Sequence, residues 1–235
     1  LRMGEWVLRN ACEEAAKWPD HIRIAVNLSP IQFADPSLPS LVMNALASAQ
    51  LAPSRLELEI TESVFLNDSD ATDEMFAALK RIGVRFALDD FGTGYSSLRY
   101  LRTAPFTKIK IDQSFVRGAS HPSSRNGPII KAIVALATSL GMETTAEGAE
   151  THDELKLVRE LGCSHVQGYL FGRPVSAEDA QALIAKGQPL VPTGLKTHRQ
   201  VRHSVLRSAR LHVGGGVVPV RMRNVSPGGA LIEAP

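Results

Sequence analysis

Six polar residues, Asn27, Glu59, Asp89, Lys110, Glu147 and Gln167, each close or nearly close a short run of strand-forming character. Asp90 follows Asp89 directly, and Glu62 lies one turn beyond Glu59. Acidic groups at the ends of buried strands are costly unless they are paired or bind metal. If Glu59, Asp89, Asp90 and Glu147 share one mouth, their mutual repulsion requires cations. Hard divalent ions such as Mg²⁺ or Mn²⁺ meet that need, and Asn27 adds a neutral oxygen of the kind they accept. Two adjacent aspartates suit a pair of ions, which together activate a water and stabilise the leaving oxygen of a phosphodiester. Lys110 would bring positive charge to that water or to the phosphate. Helix capping, or pairing with arginines at a rim, explains any one of these residues. It explains six together much less well.

The segment Asp90–Ser97 is a loop of small residues after a strand. Its Gly92-Thr93-Gly94 invites a dinucleotide-binding reading, but Ser97 replaces the third glycine. A mobile lid or a dimer-contact loop fits Phe91, Gly92, Thr93 and Gly94 better. The seven histidines show no ligand spacing, so no zinc site is expected, and His165 reads as a hydrogen-bonded neighbour rather than a catalyst. Cys12 and Cys163 form neither a disulfide framework nor a metal spacing, and read as buried thiols in a reducing cytoplasm.

The elements that must position these residues alternate. Amphipathic spacing predicts a helix over residues 1–18, with Trp6 and Trp18 as packing residues. Strands are expected at Ile22–Asn27, Leu56–Thr61, Val84–Asp89, Thr107–Asp112, Glu143–Ala146 and Ser164–Gln167. Helices are expected from Pro39 to about Leu51, at Asn67–Ile82, from Pro128 to Leu140, after the Thr151/Glu154 capping box, and after Ser176. Six βα units make an α/β fold with a parallel sheet. An open doubly wound sheet and a (β/α)8 barrel both fit. Six polar strand ends converge on one mouth only in a barrel, which is therefore favoured. Eight units are needed, so the expectation is a (β/α)8 TIM-like barrel lacking its first strands.

Composition is ordinary for a globular chain, with 44% hydrophobic and 21% charged residues. No apolar run is long enough to span a membrane, and no secretory signal is visible. An opening on Leu1 rather than Met points to a slice of a longer protein. The net charge of +2 hides a step: residues 180–235 hold eight Lys/Arg against Glu233 alone. That sets a barrel at 1–189 apart from a linker at 190–198, marked by Pro192 and Gly194, and a partial β-rich module at 199–235. The basic end should prefer an anionic partner. It offers almost no aromatic surface for stacking bases, so nucleic acid is not the expected one.

These residues resemble the EAL family of cyclic di-GMP phosphodiesterases from about Leu1 to Pro189. Val26–Ser29 is similar to the family's Asn-bearing strand, Glu59-Ile-Thr-Glu62 to its E-x-T-E motif, and Leu88–Ser97 to its DDFGTGYSS segment. Lys110-Ile-Asp112 is similar to its catalytic lysine strand, Ala146–Glu150 to AEGVE with one mild change, and Gln167-Gly-Tyr169 to its last strand. The resemblance implies that Asn27, Glu59 and Asp89 ligate a first metal, with Asp89 bridging to a second held with Asp90. It implies that Lys110 and Glu147 position and deprotonate the attacking water, that Glu62 anchors the loop beginning at Phe91, and that Gln167 lies near the second metal and the substrate. The product would be linear pGpG, and two Mg²⁺ or Mn²⁺ ions the cofactors. The Glu-Ala-Leu strand that names the family would lie upstream of Leu1, with one more metal ligand. The alternative is an inactive barrel that senses cyclic di-GMP or a partner protein. A homodimer through the barrel and a cytoplasmic site are expected, with any membrane anchor upstream. Asn224–Gly229 also resembles the (D/N)-x-S-x-x-G motif of PilZ domains, which would make Arg199, Arg202, Asn224, Ser226 and Gly229 ligands of a second cyclic di-GMP site. The arginine spacing departs from R-x-x-x-R.

Overall fold

The computed structural model describes residues 2–67, 70–94, 99–121, 123–187, 190–194, 203–213, 216–226 and 229–233. The chain divides into two compact units, Leu1–Lys196 and Thr197–Pro235.

In the first unit, helix α1 (Arg2–Ala16) leads into strand β1 (Ile24–Leu28). The short α2 (Pro30–Phe33) and the longer α3 (Leu38–Ala49) precede β2 (Leu56–Thr61), and α4 (Asp70–Ile82) precedes β3 (Arg85–Phe91). Then α5 (Arg99–Thr103), β4 (Lys108–Ile111), α6 (Gln113–Val116) and α7 (Asn126–Ser139) follow. The unit continues through β5 (Glu143–Ala146), α8 (His152–Glu160), β6 (His165–Val166) and α9 (Ala177–Ala185). The six strands form one parallel sheet in sequence order, β1 to β6. Each strand is joined to the next by helical chain, which places helices against the sheet.

Strand alternation sorts side chains to two faces. Leu58, Ile60, Phe86, Leu88, Ile109 and Ile111 are buried in the core. The opposite face carries Asn27, Glu59, Ala87 and Lys108, which are register neighbours across four strands. This polar face is what a barrel interior leading to a site requires, and a run of charges there needs internal pairing.

Local chemistry explains where elements begin and end. Thr151 caps α8 with a reciprocal Glu154 box, and Ser176 caps α9, as their spacing predicts. Arg55, buried beneath α1, donates from Nη2 to the Ala15 and Trp18 carbonyls and from Nε to Ile22 O at 2.9 Å. With Ile22 N bonded to Pro19 O, the chain is still turning at Ile22, so β1 starts at Ile24 instead. The Trp6 indole is 63% exposed, which corrects its assignment as a packing residue; Trp18 does pack against the core. β6 has only two residues, and Gln167 follows it rather than ending it.

The second unit is a three-stranded antiparallel sheet of β7 (His203–Val213), β8 (Gly216–Ser226) and β9 (Gly229–Glu233). Its first two strands are longer than the short pieces the sequence suggests.

Candidate active site

Lys110 sits at the centre of the acidic cluster. Its Nζ lies 2.6 Å from Glu59 Oε2, 2.9 Å from Asp89 Oδ1 and 2.8 Å from Glu147 Oε1. All four side chains come from the C-terminal ends of β2, β3, β4 and β5, or the residue just beyond. Burial alone would lower the Lys110 ammonium; the Glu59 charge and the contacts with Glu147, Glu59 and Asp89 outweigh it and push it up. Burial raises the carboxyls of Glu59 and Glu147, and Lys110 offsets part of each rise. The lysine is thus a fixed cation, and the acids around it favour any further positive charge.

Asp89 and Asp90 are consecutive, so a regular strand would send them to opposite faces. The β3–β4 register instead shifts between Leu88 and Phe91, and Asp90 adopts φ 52°. Asp90 and Gln50 are the two described non-glycine residues with positive φ. That bulge lets Asp89, Asp90 and Glu147 bring one ligand oxygen each within 4.8 Å of one another. The Asp90 carboxyl is raised by partial burial and then by the charge of Asp89. Asp89 Oδ1 is buried without an aligned hydrogen-bond partner, although Lys110 Nζ is near. An all-oxygen set of three neighbouring carboxylates, one of them buried, fits a hard divalent cation. Asn27 lies opposite Glu59 in the β1–β2 register, at the exposed side of this group.

The flanking segments hold the cluster from two sides. Glu62, buried just after β2, accepts the Gly92 N–H through Oε1 at 3.1 Å, fastening the start of the Gly92–Gly94 loop. Phe91, where the loop begins, is buried in the core, so its ring anchors the loop. Gly92, Thr93 and Gly94 are exposed. On the other side, Gly148 adopts φ +66°, and a Cβ there would stand 2.5 Å from Gln113 Cβ, so only glycine lets the Glu147 turn pass. Gln167 is exposed; its N–H donates to Ala146 O, and its carbonyl accepts from Ala149 N–H.

A second charged layer that the sequence reading missed lies one pleat beneath the first. Lys108 Nζ is 2.6 Å from the buried Glu57, and Arg85 pairs with both Glu57 and Glu143, which Arg23 also approaches. The signal was there in the i, i+2 repeats Glu57/Glu59 and Lys108/Lys110, which put like charges on one face. Of the second-module candidates, Arg199 and Arg202 lie outside the described residues. Asn224 and Ser226 fall near the end of β8 and Gly229 at the start of β9, with side chains outside the description.

The family model for the EAL domain matches residues 1–174. The chain is 44% identical over 189 residues to the bifunctional diguanylate cyclase/cyclic di-GMP phosphodiesterase MucR of Pseudomonas aeruginosa, covering 79% of this chain and 27% of that protein. It spans about a quarter of the length of the curated relatives it matches. Among solved structures, the PaMucR phosphodiesterase in complex with c-di-GMP superposes with a TM-score of 0.72 at 44% identity, covering 77% of this chain and 80% of that one. The manganese/cy-diGMP complex of Klebsiella pneumoniae BlrP1 gives 0.67 at 32% identity, covering 74% of this chain and 44% of that one.

Proposed function

From its membership of the EAL domain family, which the match over residues 1–174 establishes, we propose that this chain is the catalytic part of a metal-dependent phosphodiesterase that opens cyclic di-GMP to linear pGpG in bacterial signalling. The observation that carries this reading is the Lys110 ammonium held among Glu59, Asp89 and Glu147, beside an Asp89–Asp90–Glu147 group able to take a cation. In the reaction one P–O bond breaks, the oxygen of water joins phosphorus, and a proton reaches the released ribose oxygen.

Asp89, Asp90 and Glu147, with Glu59 and Asn27, would hold Mg²⁺ or Mn²⁺, two ions being the reading for the adjacent aspartates. A bound divalent ion supplies Lewis-acid activation of water and phosphodiester. Lys110, kept cationic among the three carboxylates, opposes through its charge the negative charge that grows on the phosphate oxygens. Glu147, raised by burial and carrying an oxygen beside Lys110, takes the proton of the attacking water. Glu62 fixes the start of the Gly92–Gly94 loop beside the acidic cluster.

The test is hydrolysis of cyclic di-GMP by the full-length protein. Turnover should need Mg²⁺ or Mn²⁺ and stop on chelation. Undiminished turnover in excess chelator overturns the metal reading, and tight binding without turnover leaves the sensing alternative.

A further inference from the structure

We propose that Glu154 is a positioning residue that sets the place of Glu147 relative to Lys110. Its side chain is completely buried on the first turn of α8. A capping-box glutamate ordinarily returns one bond to its own helix start. Here the carboxylate reaches further. Oε2 accepts the N–H groups of Glu150 at 3.0 Å and Thr151 at 3.1 Å, and Oε1 accepts the N–H of Gly118 at 2.8 Å.

Those donors belong to the two segments that leave the site. Glu150 ends the turn that begins at Glu147, and Gly118 lies just after α6, the segment that leaves the Lys110 strand. One carboxylate therefore ties the chain after the proposed base to the chain after the proposed cation. The same two segments also meet in the Arg117–Glu150 ion pair, but that pair is about half exposed on the arginine side and screened. Other contacts set the depth of the turn: Glu147 N donates to Ile111 O, and Ala149 N to Gln167 O. Glu154 alone of these groups draws on both flanks through a buried charge.

The three described groups that face the carboxylate are all donors. A glutamine at this position has nearly the same shape, but its amide nitrogen must oppose an N–H on one side or the other. Glu154→Gln therefore releases one flank without creating a cavity. This inference rests on the phosphodiesterase reading for its kinetic consequence, and has two readouts that do not. In the full-length protein, Glu154→Gln should speed amide exchange at Gly118 or at Glu150 and Thr151. It should weaken Mn²⁺ binding about 10-fold, the scale for loss of a group that orients a ligand. It should lower kcat for cyclic di-GMP about 10-fold or more while KM moves less than about 3-fold.

Thr151→Ala is the control: it removes the hydroxyl cap of α8 but none of the three bonds to the carboxylate, so it should lower Tm and leave Mn²⁺ affinity and kcat in place. If Glu154→Gln does not fold, Glu154→Asp, which keeps the charge and loses reach, is read in the same way. Unchanged Mn²⁺ affinity and kcat in the Glu154 variant, or equal losses in Thr151→Ala, would overturn the proposal. A parent that binds Mn²⁺ without hydrolysing cyclic di-GMP would sink the phosphodiesterase reading instead, and the exchange and Mn²⁺ data would still judge Glu154.

Discussion

A buried lysine ringed by three carboxylates is an unusual resting state for a cation. Taking one ammonium and several carboxylates out of water is repaid only when their geometry is good, and removing one partner leaves the rest exposed to repulsion. Lys110→Ala should therefore do two things. It should reduce kcat by about 100-fold or more with a smaller change in KM, because the lost interaction acts on charge that develops during reaction. It should also raise the affinity for Mg²⁺ or Mn²⁺, since the uncompensated acids attract a cation more strongly. Steady-state kinetics and metal titration of the same variant test both, and parent-like turnover would reduce Lys110 to a structural charge. Glu59→Ala should differ: it removes a proposed metal ligand, and excess metal should restore part of its activity. A variant whose activity stays flat from low to high Mg²⁺ would count against that role.

At the level of elements, much of the site follows from where strands end. Asn27, Glu59, Asp89 and Lys110 were legible because each interrupts a run of alternating or apolar residues, and Glu147 and Gln167 because each comes immediately after one. The capping residues Thr151 and Ser176 were legible because their bonds are local in sequence. Three features were not legible, and each has a physical cause. The Asp89–Asp90 bulge is a choice of backbone angle at one residue, to which side-chain periodicity is blind. Glu154 reads as a cap because its bond to Gly118 spans 36 residues. Arg55 leaves no local signal because the carbonyls it serves lie 33 to 40 residues away. That last role makes a prediction about α1. Its terminal carbonyls and the following turn rely on one planar fork, which lysine does not reproduce. Arg55→Lys should cost about 2–3 kcal/mol, the loss of charged hydrogen bonds at a buried site. Denaturant melts measure this, and a change below about 0.5 kcal/mol would mean that water replaces the guanidinium at little loss.

For the molecule as a whole, composition foretold an ordinary folded core but not how its titrations would bear on stability. Burial pushes both thiols up to about 11 from 9.0, with Glu13 adding to the effect at Cys12 and Thr144 opposing it at Cys163. A folded-state pKa above the unfolded value stabilises the fold fully below the unfolded pKa, and this contribution fades as pH rises through the folded one. Stability should thus decline between about pH 9 and 11, by up to about 2–3 kcal/mol for the wholly buried Cys12. Cys12→Ala and Cys163→Ala together should flatten that part of the curve, and an unchanged slope would assign it to other groups. None of the described helices is long and apolar enough to cross a bilayer. The two units carry opposite charge: Leu1–Lys196 holds 20 Lys/Arg against 23 Asp/Glu, and Thr197–Pro235 six Arg against Glu233.

The left-handed backbone at Asp90 sets chemistry and durability against each other. An L-residue with a Cβ pays on the order of 1 kcal/mol to hold that conformation, and glycine avoids it. Asp90→Gly should accordingly raise Tm while removing a carboxylate that the proposed reaction needs. Mutational drift away from catalysis at this position is therefore downhill in folding free energy, so only continuing selection for turnover would keep the aspartate in place.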